Sequence, residues 1–164
     1  MALALPALVR PAAAAPDCRD APPTAFVERF VPADCARCWA ADPRDAPPPR
    51  TLAIDWVVPA AADAPMAAAA LREAAARAGP LAAGASAERG VALVARDAPR
   101  LRVAEGPPWN GYVGLSLTVT RTAPWRAGSR AFMALVEHVP AGSEGSAIER
   151  RLVRAVAGPL TLEP

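Results

Sequence analysis

A chain of 164 residues with a formal charge of +2 has the length of one ordinary domain and enough residues to bury a core. It contains no lysine and no glutamine, so Schiff-base and lysine general-base chemistry are excluded at every position except the α-amine. No dense basic run or basic-aromatic interleaving occurs, which excludes a nucleic-acid surface, and the 53% hydrophobic content with only 5% aromatics reflects alanine rather than membrane segments.

Residues 1–24 read as a signal-like or disordered leader. Leu3, Leu5, Leu8 and Val9 form an apolar run, and Ala12 to Ala15 supply the small residues that signal peptidase prefers. Export to the periplasm or outside the cell is therefore expected. Pro6 and Arg10 interrupt the run and no basic residue precedes it. No other stretch approaches the roughly 20 apolar residues of a membrane-spanning helix, so no membrane span is expected.

One domain is expected over residues 25–164. Phe26 to Val31, β-branched and aromatic and stopped by Pro32, predicts a strand. Beyond Cys35 and Cys38, Pro43 and the triple proline Pro47-Pro48-Pro49 limit any helix to about one turn. Thr51 to Val58 predicts a second strand closed by Pro59. Residues 66–78, alanine-rich and stopped by Gly79-Pro80, give the clearest helical signal. Short strands follow at 91–95, 101–104, 112–121 and 130–138, and residues 147–157 lean towards a final strand. Leu115, Leu117 and Val119 alternate with Ser116, Thr118 and Thr120, which predicts one buried and one solvated face.

The site-like feature is the pair Cys35 and Cys38. Two cysteines separated by two residues close a small disulfide ring, in which the first is commonly the exposed, attacking thiolate and the second is sheltered. Three readings stand open: a redox-active dithiol, a structural disulfide that pins a loop in an exported protein, and a zinc site in which Cys18 and His138 would complete a Cys3His set. Covalent haem is excluded, because Trp39 rather than histidine follows the second cysteine.

The segment Val27-Glu28-Arg29-Phe30-Val31-Pro32-Ala33-Asp34-Cys35-Ala36-Arg37-Cys38 resembles the secreted bacterial thioredoxin-like family whose first strand reads V-V-E-L-F-T-S-x-G-C-x-x-C. Gly142 to Gly145 with Arg151 to Arg154 is similar to that family's closing glycine-rich turn and Val-Arg strand. The resemblance implies an α+β fold, with a reduced thioredoxin-like N-terminal part and a β-rich, sandwich-like C-terminal part. It also implies thiol-disulfide exchange with protein thiols or disulfides as partners; no cofactor and no metal are expected. Cys35 would be the nucleophile, Cys38 the resolving cysteine and Glu28 a buried acid beneath the disulfide that assists proton transfer. Trp39 is expected, from its position next to the dithiol, to shield the disulfide or contact a partner, and Pro99 would stand for the family's substrate-binding proline. The competing expectation is a non-catalytic exported structural or binding protein with a stapling disulfide.

Among the remaining residues, Trp56 is expected in the core and Trp109 and Trp125 at exposed turns. His138, the sole histidine, is expected half in solvent at a strand end. Asp55, Glu73, Glu88, Glu105 and Glu137 have no paired-carboxylate or metal-ligand spacing and read as surface charge, although Asp55 lies inside a buried-looking strand.

Overall fold

The computed structural model describes residues 21–82, 84–93, 100–110, 112, 114–120, 128 and 130–161. Seven strands run through it: β1 (Ala25–Pro32), β2 (Thr51–Val58), β3 (Ala87–Ala92), β4 (Arg100–Glu105), β5 (Leu115–Thr120), β6 (Arg130–Val139) and β7 (Arg150–Thr161). The two α-helices among the described residues are short: α1 (Ala36–Ala40) has 5 residues and α2 (Arg72–Ala78) has 7. Among the described residues strand accounts for 46% and helix, 3-10 turns included, for 15%, so the expected thioredoxin-like α+β fold is not what the chain adopts. The prolines that confine α1, together with the division of the second helix, leave too little helix for it.

β1 and β2 are the centre of a five-stranded mixed sheet ordered β3-β1-β2-β7-β6. They are parallel and in register from Ala25↔Thr51 to Pro32↔Val58, a pairing that requires a crossover, supplied by α1 and the proline-rich loop. Strands covered on both faces read as nearly continuous apolar runs, and residues Glu28–Pro32 and Ala53–Val58 are all buried. The expected sandwich-like C-terminal half does not form. β3, β6 and β7 join the sheet built by β1 and β2, and β4 and β5 alone pair as a separate hairpin.

The side chains of this sheet sort by strand alternation. One face buries Phe30, Ile54, Trp56 and Val153 against Ala74 of α2, with Leu71 and Val156 at its margin. The other buries Ala33, Val57, Val139 and Leu152, with Trp39 of α1 and Met66, Ala69 and Ala70 packed on it.

The helix expected over 66–78 is divided accordingly. Ala67–Ala69 is a 3-10 turn on the second face, whereas α2 lies on the first. Between them Leu71 is extended, at φ −114° and ψ 133°, and its N–H donates to the Val57 carbonyl at 3.0 Å. That tertiary bond, and the placement of Met66 and Leu71 in different cores, overrides the helical propensity of the alanines.

The C-terminal ribbon of β6 and β7 is antiparallel with register shifts at Ala131/Met133 and Leu135/Val136, the irregularities that bend a strand pair. β7 meets β2 only at Leu152 opposite Asp55, so beyond Val153 the ribbon leaves the sheet and curls over the α2 face. Gly158, at φ +128°, lets it curl: a Cβ there would stand 2.8 Å from the Ala131 carbonyl oxygen.

The hairpin of β4 and β5 departs from the expected burial. Leu101, Val103 and Leu115 are exposed, and the alternation in β5 buries its apolar face only in part: Leu117 and Val119 are half-buried, whereas Ser116, Thr118 and Thr120 are exposed. Trp109 and Tyr112 form an isolated bridge at the tip and are exposed.

Candidate functional site

Cys35 and Cys38 are joined by a disulfide. β1 delivers the pair: after Pro32 the chain turns, Cys35 N–H donates to the Pro32 carbonyl at 3.0 Å, and the Cys38 and Trp39 N–H groups then donate back to the Cys35 carbonyl at 3.0 and 3.2 Å. Cys35 is therefore the N-cap of α1, and its side chain caps nothing.

The exposure of the two cysteines reverses the expected order. Cys35 is only 5% exposed, whereas Cys38 is half-buried and lines a groove of about 520 Å³. Both sulfurs lie near the Gly84 carbonyl oxygen, at 3.5 and 3.7 Å, and Arg37 donates to the same oxygen at 3.2 Å. Arg37 thus holds the loop that covers the disulfide.

Beneath the disulfide lies an ion cluster that was not singled out from the sequence. Asp55, fully buried, accepts from Arg29 Nη2 at Oδ2 and from Arg150 Nη1 at Oδ1, both at 2.8 Å, and from the Arg151 backbone N–H at 2.9 Å. Arg150 Nη2 reaches the carbonyl oxygens of Cys38 and Trp39, its Nε donates to Ser146 Oγ, and its guanidinium carbon lies 5.1 Å from the Trp39 ring centroid. A buried carboxylate shared by two guanidiniums is stable only when its lone pairs are met, and here three donors meet them. Asp55 is thus not the surface charge expected of it; the cue in the sequence is an acid between Ile54 and Trp56 in an apolar strand. No comparable cue marks Arg29 or Arg150. Arg29 Nε stands 2.8 Å from Asp55 Oδ1 as a charge contact without hydrogen-bond alignment, and Nη1 has no partner among the described residues.

Trp39 is at the site. Its Nε1 donates to the Glu144 carbonyl at 2.7 Å and its ring covers the Arg150 guanidinium, so it anchors α1 to the loop before β7. Glu28 is not beneath the disulfide. One residue from Arg29 in β1, it points to the opposite face of the sheet, where Oε1 accepts from Trp56 Nε1 at 3.1 Å and Arg77 Nε at 2.8 Å. The parity of the strand separates it from the dithiol.

Pro99, Cys18 and Trp125 lie outside the described residues. Among the described residues no group of three or more His, Cys, Asp or Glu side chains is arranged to hold a metal, and no helix is long and apolar enough to cross a membrane. Trp56 is buried, Trp109 is exposed, and the His138 side chain is 61% exposed at the end of β6.

Comparison of the chain with protein-family models, with curated proteins and with solved structures finds no match.

Proposed function

We propose that the protein exchanges thiols and disulfides through Cys35 and Cys38. The observation that carries this reading is the asymmetry of the pair: a disulfide with one cysteine buried and the other opening on a groove. Cys38 is then the sulfur that meets a partner, and Cys35 is the resolving one. In the reducing direction Cys38 thiolate attacks a partner disulfide, forming a mixed disulfide and releasing one partner thiolate, which takes up a proton. Cys35, deprotonated, attacks Cys38 Sγ, releases the second partner thiolate and restores the Cys35–Cys38 bond. Protein disulfides are the proposed partners. Glu28, on the far face, has no part in the proton transfers. An exported setting suits a bond of this kind and accords with the apolar leader.

The test is the equilibrium of the pair in glutathione buffers, read as alkylated cysteines by mass spectrometry. A potential between about −270 and −120 mV is that of exchange catalysts, and one below about −300 mV is that of structural disulfides. Cys38→Ser abolishes exchange under this reading; activity unchanged by that substitution rules it out.

A second reading, an exported structural or binding protein with a stapling disulfide, is favoured by the burial of Cys35 and the brevity of α1, which weakens any helix-terminus effect on its thiol. A large loss of stability on reduction supports it.

A further inference from the structure

The face of the sheet away from the dithiol carries a feature that exchange chemistry does not use. Where the ribbon of β6 and β7 curls over α2 it leaves an apolar trough of about 400 Å³, floored by Phe26, Ile54 and Trp56 and walled by Phe132, Val136 and Val156. This volume is in the range of small-molecule sites, which are mainly apolar with a few placed polar groups.

The trough shares Arg77, Phe132 and Val156 with a second hollow of about 610 Å³, whose charged lining is Arg77, Arg89 and Arg130 against Glu73 alone. Of these arginines, Arg77 is already committed: its Nη2 and Nε lie 2.7 and 2.8 Å from Glu28 Oε1, and its guanidinium carbon lies 5.4 Å from the Trp56 centroid and 4.8 Å from that of Phe132. Glu28 is thereby neutralised at the floor. Arg89 and Arg130 are exposed and make no ion pair among the described residues. Arg89 is oriented to this face, its guanidinium carbon 5.7 Å from the Phe30 ring centroid. An apolar cleft that adjoins a hollow lined by two guanidiniums with no ion pair among the described residues is complementary to a molecule with an apolar body and an anionic head.

We propose that this trough binds a small amphiphilic carboxylate, its apolar chain against Phe132, Trp56 and Val156 and its carboxylate at Arg89 and Arg130. The site is independent of the dithiol and stands whether or not Cys35 and Cys38 exchange.

The probes are octanoate, 1-octanol and octylamine, titrated calorimetrically into the full-length oxidised protein. Octanoate is expected to saturate at one per chain and to bind about tenfold more tightly than octanol, the usual scale of a charge-assisted contact. Arg89→Ala and Arg130→Ala, both at exposed positions, are expected to loosen octanoate several-fold and leave octanol unchanged, whereas Phe132→Ala weakens both. Thermal melts of each variant verify that it is folded. Octanol binding as tightly as octanoate, or octanoate binding unaltered in the Arg89→Ala/Arg130→Ala double variant, overturns the proposal. Preference for octylamine overturns it in favour of Glu28 as the recognition group. Sedimentation with anionic phospholipid vesicles without octanoate binding overturns it in favour of a charged surface.

Discussion

Arg150 reaches Cys38 across 112 residues of sequence, its Nη2 donating to the Cys38 carbonyl oxygen at 3.0 Å while Nη1 holds Asp55 at 2.8 Å. One side chain thus ties the backbone of the dithiol turn to the centre of the sheet. Removing one member of a buried ion pair costs about 3–5 kcal/mol, because the other is left uncompensated. Arg150→Ala is expected to lower stability in urea by that amount, and Arg150→Lys not to restore it, since an ammonium cannot span Asp55, Ser146 and two carbonyls. Asp55→Ala strands two guanidiniums and is expected to cost more than Arg150→Ala.

The same anchoring bears on reduction of the disulfide. The bond closes a loop with a sequence separation of 3, for which chain entropy gives about 2 kcal/mol of stabilisation. Arg150 and Trp39 hold α1 through contacts that do not involve sulfur. Reduction is therefore expected to cost about 2 kcal/mol or less, checked by urea titrations with and without a phosphine reductant; a loss well above that supports the staple instead.

At the 3-10 turn Pro43–Asp45, the hydrogen bond from the Arg44 side chain, followed by that from its backbone N–H, holds the Asp42 carboxyl below the usual aspartate range. A depressed acid stabilises the fold above its unfolded pKa and loses that contribution as pH falls through its folded pKa. Arg44→Ala is expected to raise the Asp42 pKa and move this loss to higher pH. Carboxyl-carbon NMR titration of both proteins checks it, and an unmoved Asp42 contradicts it.

Ala74 is fully buried where α2 meets Trp56 and Val153. Adding volume to a filled core costs about 1–3 kcal/mol, so Ala74→Leu is expected to lower the unfolding free energy by that much. Ala76→Leu, on an exposed position of the same helix, is expected to be nearly neutral.

The two central strands were legible because residues 26–31 and 51–58 are short, apolar and bounded by proline, and proline bounds also foretold the single turn of α1. The final strand leaned the right way. What pattern did not reveal was where strands go. Nothing local shows that β6 and β7 add to the sheet of β1 and β2, so a separate β-rich half was expected. The alanines of 66–78 read as one helix because the Leu71 to Val57 bond that breaks it is a tertiary event. The family resemblance implies that Glu28 lies beneath the dithiol, but a strand sends alternate residues to opposite faces, and the neighbouring Arg29 is the one on the dithiol side. Arg150 lies too far along the chain for any spacing rule to associate it with Cys38.

The close approach of the two strands at Gly158 bears on the sheet's edges as well as on its packing. A sheet ordered β3-β1-β2-β7-β6 has β3 and β6 as its edges among the described residues, and a flat, apolar edge recruits further chains. Because the ribbon turns over α2, Arg130 of one edge strand and Arg89 of the other line the same hollow, so the start of β6 is drawn back against its own molecule. Gly158→Ala, which sets a methyl group against Ala131 and Phe132, would force the ribbon outward, and the first sign of this change would be self-association during concentration rather than a lower melting temperature.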